Sequence, residues 1–112
     1  MEKKSRKLPS IWTAVFECDI AYRGSFVTRD RQVFTVAGGR GEARRALNAG
    51  IVSAFPNIEG GVEMKELEEV PRGSWDAFLH EAWDSGVKLV MPHPRRITRS
   101  VATALLQHLL NG

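Results

Sequence analysis

The residues that could do chemistry are few and scattered through the 112-residue chain. His80-Glu81-Ala82-Trp83-Asp84 resembles the His-Glu-x-x-His zinc motif, with Asp84 where the second histidine would stand. His80 and Asp84 at i and i+4 share one face of a helix, but a metal site needs further ligands and no Cys or His cluster supplies them. Glu63-x-Lys65 on a strand resembles the acidic-x-Lys element of many nucleases, without a recognisable acidic partner. His93 and His108 are isolated, with His108 expected at the border of a helix core face. No Ser-His-Asp arrangement follows from the spacing. The lone Cys18 falls on the apolar side of an alternating run, which suits an inert buried thiol. No catalytic residue, metal or cofactor is assigned on these grounds, and the reading is of a non-enzymatic domain.

Glycine and arginine give a second kind of chemistry. Gly38-Gly39-Arg40-Gly41 opens a helix, and free N–H groups at a helix start bind anions. No Lys-Ser/Thr follows, so this is not a P-loop, and Arg44 stands where a dinucleotide fingerprint needs its third glycine. Arg40, Arg44 and Arg45 cluster here, while Arg95, Arg96 and Arg99 are expected to open a later helix. Arginine at such positions suits phosphate contacts, so these six are the candidate nucleic-acid-binding residues. The reading requires the two sets to share one surface, unanswered by carboxylates.

Charge is unevenly distributed. Residues 1–58 carry 10 basic and 5 acidic side chains, residues 59–84 carry 2 and 8, and residues 85–112 carry 4 and none. The net charge is only +3. Such segregation can give faces of opposite sign, or average out if the segments interleave. It also admits a different function: a protein-interaction module or homodimer, such as an inhibitor, antitoxin or mobile-element accessory protein, engaging a partner through an acidic edge strand.

The elements that must position these groups follow from periodicity. Gln32 to Ala37 reads as a strand, followed by the glycine turn and a helix at 42–55. Ala43, Ala46, Leu47, Gly50, Ile51, Ala54 and Phe55 form its apolar stripe, mostly small, which suits close packing on a sheet. Pro56 stops it. Upstream, Trp12, Ala14, Phe16, Cys18 and Ile20 alternate along a strand at 11–20. Residues 26–28 form a short strand, Arg29-Asp30-Arg31 a polar turn, and 32–37 the third strand of a meander. Val62 and Met64 suggest a fourth strand, where Leu67 breaks the alternation and implies a bulge or an early end.

A helix at 74–84 carries Trp75, Phe78, Leu79, Ala82 and Trp83 as its apolar stripe and ends at Gly86. Val87 to Met91 is a short buried strand. Pro92-His93-Pro94 leads to a helix at 96–110 with Ile97, Val101, Leu105 and Leu109 inward. The fold class is α+β: a single domain at 11–112 behind a basic flexible tail at 1–10. Its mainly antiparallel four- to five-stranded sheet is packed by about three helices in the order β-β-β-α-β-α-β-α. The β-β-β-α-β order over residues 11–70 resembles small sheet-plus-helix modules such as the HicB-type antitoxins. The run GRGEARRALNA at 39–49 resembles the strand–helix end of double-stranded-RNA-binding domains, although no leading helix precedes the sheet and the helix start lacks a lysine pair. Neither resemblance assigns a family. No apolar run approaches the ~20 residues of a membrane span, no apolar segment follows the basic N-terminus as in a signal peptide, and a single cysteine fits a reducing cytoplasm.

Overall fold

The computed structural model describes residues 9–22, 25–54, 58–85, 87–90 and 98–111. The expected basic tail, the Pro92-His93-Pro94 link, and the helix stops at Pro56 and Gly86 lie outside them, apart from Pro9 and Ser10. The chain runs β1 (Ser10–Tyr22), β2 (Ser25–Ala37), α1 (Arg40–Ala54), β3 (Ile58–Glu69), a 3-10 turn (Arg72–Ser74), α2 (Trp75–Ser85), β4 (Lys88–Leu89) and α3 (Arg99–Leu110). This is a single α+β domain, with a sheet of order β3-β1-β2-β4.

The sheet is mixed. β1 pairs antiparallel with both β2 and β3, whereas β4 pairs parallel with β2 through Val33↔Lys88 and Phe34↔Leu89. The expected three-stranded meander is a long two-stranded hairpin. Its ladder runs unbroken from Ser10↔Ala37 to Tyr22↔Ser25, and Arg29-Asp30-Arg31, expected as a turn, lies inside β2 opposite Cys18, Glu17 and Phe16. These three residues include no glycine or proline to force a change of direction, so the continuing β1 partner decides.

Two cores sandwich the sheet. Alternation sends Trp12, Ala14, Phe16, Val33 and Ala37 to one face, where they meet Ala43, Leu47 and Ile51 of α1. Those three α1 residues are buried as the stripe predicts, and the small Ala43 lets the helix axis approach the sheet. The other face sends Ile11 and Phe34 against Trp75, Leu79 and Ala82 of α2 and Leu109 of α3. Phe34 meets Phe78 edge-on, ring centroids 5.2 Å apart.

Helix positions depart from expectation at three places. Trp83, expected in the α2 stripe, is 37% exposed. His108 is exposed rather than at the core border. α3 begins at Arg99, because Thr98 takes an extended conformation and its hydroxyl accepts a bond from the Val101 N–H at 3.3 Å. That is an N-cap, and it fixes the helix start later than 96.

In β3 the break read at Leu67 is a bulge. Thr13 pairs with Glu68 but Val15 pairs with Lys65, so β3 carries one extra residue between them. Glu66 has φ of 55°, the left-handed conformation that costs a side chain about 1–2 kcal/mol. The extra residue returns Leu67 to the α1 face, where it is buried. Glu66→Asn should therefore raise stability by about 0.5 kcal/mol and Glu66→Val lower it by about 1 kcal/mol. Deleting Glu66 should cost about 2–5 kcal/mol, as a buried leucine lost from the core does. Urea unfolding of the three variants against the parent measures this.

Candidate nucleic-acid interface

α1 owes its start to local chemistry. The Gly39 carbonyl accepts the Ala43 N–H at 2.9 Å, which makes Gly39 the N-cap. Glu42 then reaches back, and its Oε1 accepts the Gly38 N–H at 3.3 Å. This contact resembles the returning half of a capping box shifted one residue out, to the N–H preceding the N-cap, and it puts a carboxylate near the positive helix end. The glycine turn is thus occupied by the chain's own Glu42 rather than open as a phosphate cradle.

Beyond this turn the solvent face of α1 is basic. Arg40, Arg44 and Arg45 are all exposed. Arg40 and Arg44 are one helical turn apart, about 6 Å along the axis. Asn48 continues the row and is exposed as well. The Arg40 guanidinium lies 6.0 Å from the Trp12 ring centroid. Trp12 is itself pinned, its Nε1 donating to the Ala37 carbonyl at 3.2 Å. Arg45 folds back along the helix, its Nη1 coming to 3.7 Å from where a Cβ on Gly41 would stand.

Among the described residues no carboxylate comes within 4.0 Å of these guanidinium groups. The ion pair that does form, Lys65 to Glu17 at 3.3 Å, joins neighbouring strands on the opposite face of the sheet. Glu63, Glu66, Glu68 and Glu69 are exposed along β3, the sheet edge beside α1.

Arg99, the described member of the second arginine set, does not join the first. Arg99 opens α3, which packs on the face of the sheet opposite α1. Its guanidinium lies 5.9 Å from the Trp83 ring centroid. Arg95 and Arg96 lie outside the described residues. Arg40, Arg44 and Arg45 are therefore together, and Arg99 is apart from them.

The remaining polar candidates are dispersed. His80, Glu81 and Asp84 are exposed, and the His80 ring sits 6.2 Å from the Trp83 ring rather than on a carboxylate. Among the described residues no group of three or more His, Cys, Asp and Glu side chains is placed to hold a metal ion. Cys18 lies in β1, its side chain outside the described residues. No described helix is long and apolar enough to cross a membrane.

Sequence reasoning missed a groove between α2 and α3, walled by the exposed Trp83 and by Arg99. The only signal was that Trp83 closes the α2 stripe at its edge, next to Asp84.

Glu42→Ala should lower stability by about 0.5–1 kcal/mol through loss of the cap, a fall of roughly 4 °C in thermal midpoint. Glu42→Gln retains the acceptor and should lose less than half of that. Thermal melts by circular dichroism separate the two.

Compared with known protein families, curated proteins and solved structures, the chain matches no family model, no curated protein and no solved fold at a significant level.

Proposed function

We propose that this chain is a non-enzymatic binding domain that holds the nucleic-acid backbone against the solvent face of α1, through Arg40, Arg44 and Arg45. The observation that carries the reading is that these three guanidinium groups are exposed on one helix with no ion pair among the described residues. Guanidinium binds phosphate in a bidentate fork, and its weak hydration makes the exchange of water for phosphate favourable. Contacts of this kind position the protein and carry no base sequence, so the binding is general to the backbone. Arg99 stands outside this surface.

The edge-strand route to a protein partner is the weaker reading. β3 combines exposed glutamates with a bulge, and both features discourage strand addition. A lone cysteine suits action in a reducing compartment such as the cytoplasm.

Fluorescence anisotropy with a labelled DNA duplex, read across NaCl concentrations, tests the proposal. Three phosphate contacts predict a log–log salt slope of about −2.7, or roughly a 40-fold weaker affinity between about 50 and 200 mM salt. Arg44→Ala and Arg45→Ala should each reduce the slope by about 0.9. Arg99→Ala should leave affinity within twofold. No binding at the lowest salt, or an equal loss from Arg99→Ala, sinks the reading.

A further inference from the structure

Three tryptophans stand in this chain, and each has a guanidinium over its ring: Arg40 on Trp12, Arg72 on Trp75 and Arg99 on Trp83. Two are structural. Trp12 and Trp75 are buried, and their indole N–H groups donate to the carbonyls of Ala37 and Val70. Trp83 differs. It is 37% exposed and has no hydrogen bond among the described residues.

Trp83 walls a groove of about 270 Å³ between α2 and α3. The two helices run antiparallel. Arg72, just ahead of α2, donates from Nη2 to the Leu110 carbonyl at the end of α3, while Trp83 near the end of α2 meets Arg99 at the start of α3. The groove therefore has two unlike ends. Arg99 and Trp83 mark one, and Asp76 marks the other, seven residues or about 10 Å along α2. Leu79 and Leu106 contribute apolar lining between them, and most of the lining surface is apolar.

The slot is mostly apolar but also carries the Arg99 guanidinium, the His80 imidazole, the Asp76 carboxylate and the polar Thr103 and Gln107, so it suits a ligand with one ring and polar groups at its ends. The ring wall favours a flat aromatic group. Arg99 favours a carboxylate at the Trp83 end, where a bidentate fork can form. Asp76 repels a second negative charge and accepts a hydrogen bond from a hydroxyl. The volume admits a single small molecule and is too small for a segment of protein. We propose that the α2–α3 groove binds a small aromatic monocarboxylate. Its ring lies on Trp83 and its carboxylate on Arg99, and a donor at the far end of the ring points to Asp76. This site is on the face of the sheet opposite the α1 arginines and does not depend on them.

The test follows the indole N–H resonances of the ¹⁵N-labelled chain during titration with 4-hydroxyphenylacetate. Its amide and tyramine serve as the neutral and cationic counterparts. The Trp83 resonance should shift with a dissociation constant of about 0.1–1 mM, as expected of a ligand this size. The Trp12 and Trp75 resonances should stay in place as internal references. The amide and tyramine should bind at least about tenfold more weakly, the discrimination one charge-assisted contact provides. Arg99→Gln should abolish the preference for the acid over the amide while lowering the thermal midpoint by no more than about 4 °C, since the exposed side chain loses only its contact with the Trp83 ring. Arg44→Ala should leave the titration as it is. No shift of Trp83 at saturating acid overturns the proposal. So does equal binding of acid and amide, or acid preference surviving in Arg99→Gln.

Discussion

The whole arrangement turns on β1, the one strand that runs against the other three. β2, β3 and β4 share a direction, and β1 lies between β2 and β3. The chain must therefore leave β2, pass over β1 to reach β3 at one edge, and return across the sheet to β4 at the other. The first crossover contains α1 and the second α2. They travel in opposite directions along the sheet. Crossovers of one hand that travel in opposite directions place their helices on opposite faces, and the right-handed rule imposes one hand. That constraint builds two cores from one sheet, with Trp12, Ala14 and Phe16 serving α1 and Ile11 and Phe34 serving α2 and α3. It also decides the electrostatics, since an arginine on α1 and an arginine on α3 have a sheet between them.

The faces are specialised beyond their helices. On the α1 side Ala43, Leu47 and Ile51 meet the sheet, and the bulge at Glu66 returns Leu67 to that core. On the other side the covering helices are clustered near the Ile11 and Phe34 end. Farther along, the same face is polar: the Gln32 amide donates to the Thr13 hydroxyl at 3.0 Å, the Thr13 hydroxyl to the Val33 carbonyl, and Lys65 pairs with Glu17. One strand thus alternates apolar and polar on this face as its cover ends, which is how a long hairpin stays compatible with water.

What could be read from the residues was whatever a single element decides by itself. The α1 stripe is visible because burial at helical spacing depends on that helix alone, and Ala43, Leu47 and Ile51 are buried as read. Leu67 announced its bulge because one residue broke a two-residue period. What failed depended on a second element. Arg29-Asp30-Arg31 looks like a turn until β1 is known to run alongside. Trp83 looks like core until α3 is found to leave it at the groove mouth. Thr98 was legible as a cap in principle, but the arginines before it drew the helix start too early. The separation of Arg99 from the α1 arginines follows from the crossover directions, and no local pattern contains those.

Among the described residues, charge segregation along the chain therefore does not become charge segregation by face. The acidic stretch 59–84 is divided by the fold. Its β3 glutamates lie along one sheet edge, with Glu69 opposite Trp12 on the α1 face and Glu63 and Glu68 opposite Glu17 and Thr13 on the other, and Asp76, Glu81 and Asp84 sit on α2 across the sheet. The basic row of α1 thus has an acidic border on one flank. On the reading proposed above, a polyanion held at Arg40, Arg44 and Arg45 would meet least repulsion over the outer surface of α1 and the β2 side of that helix.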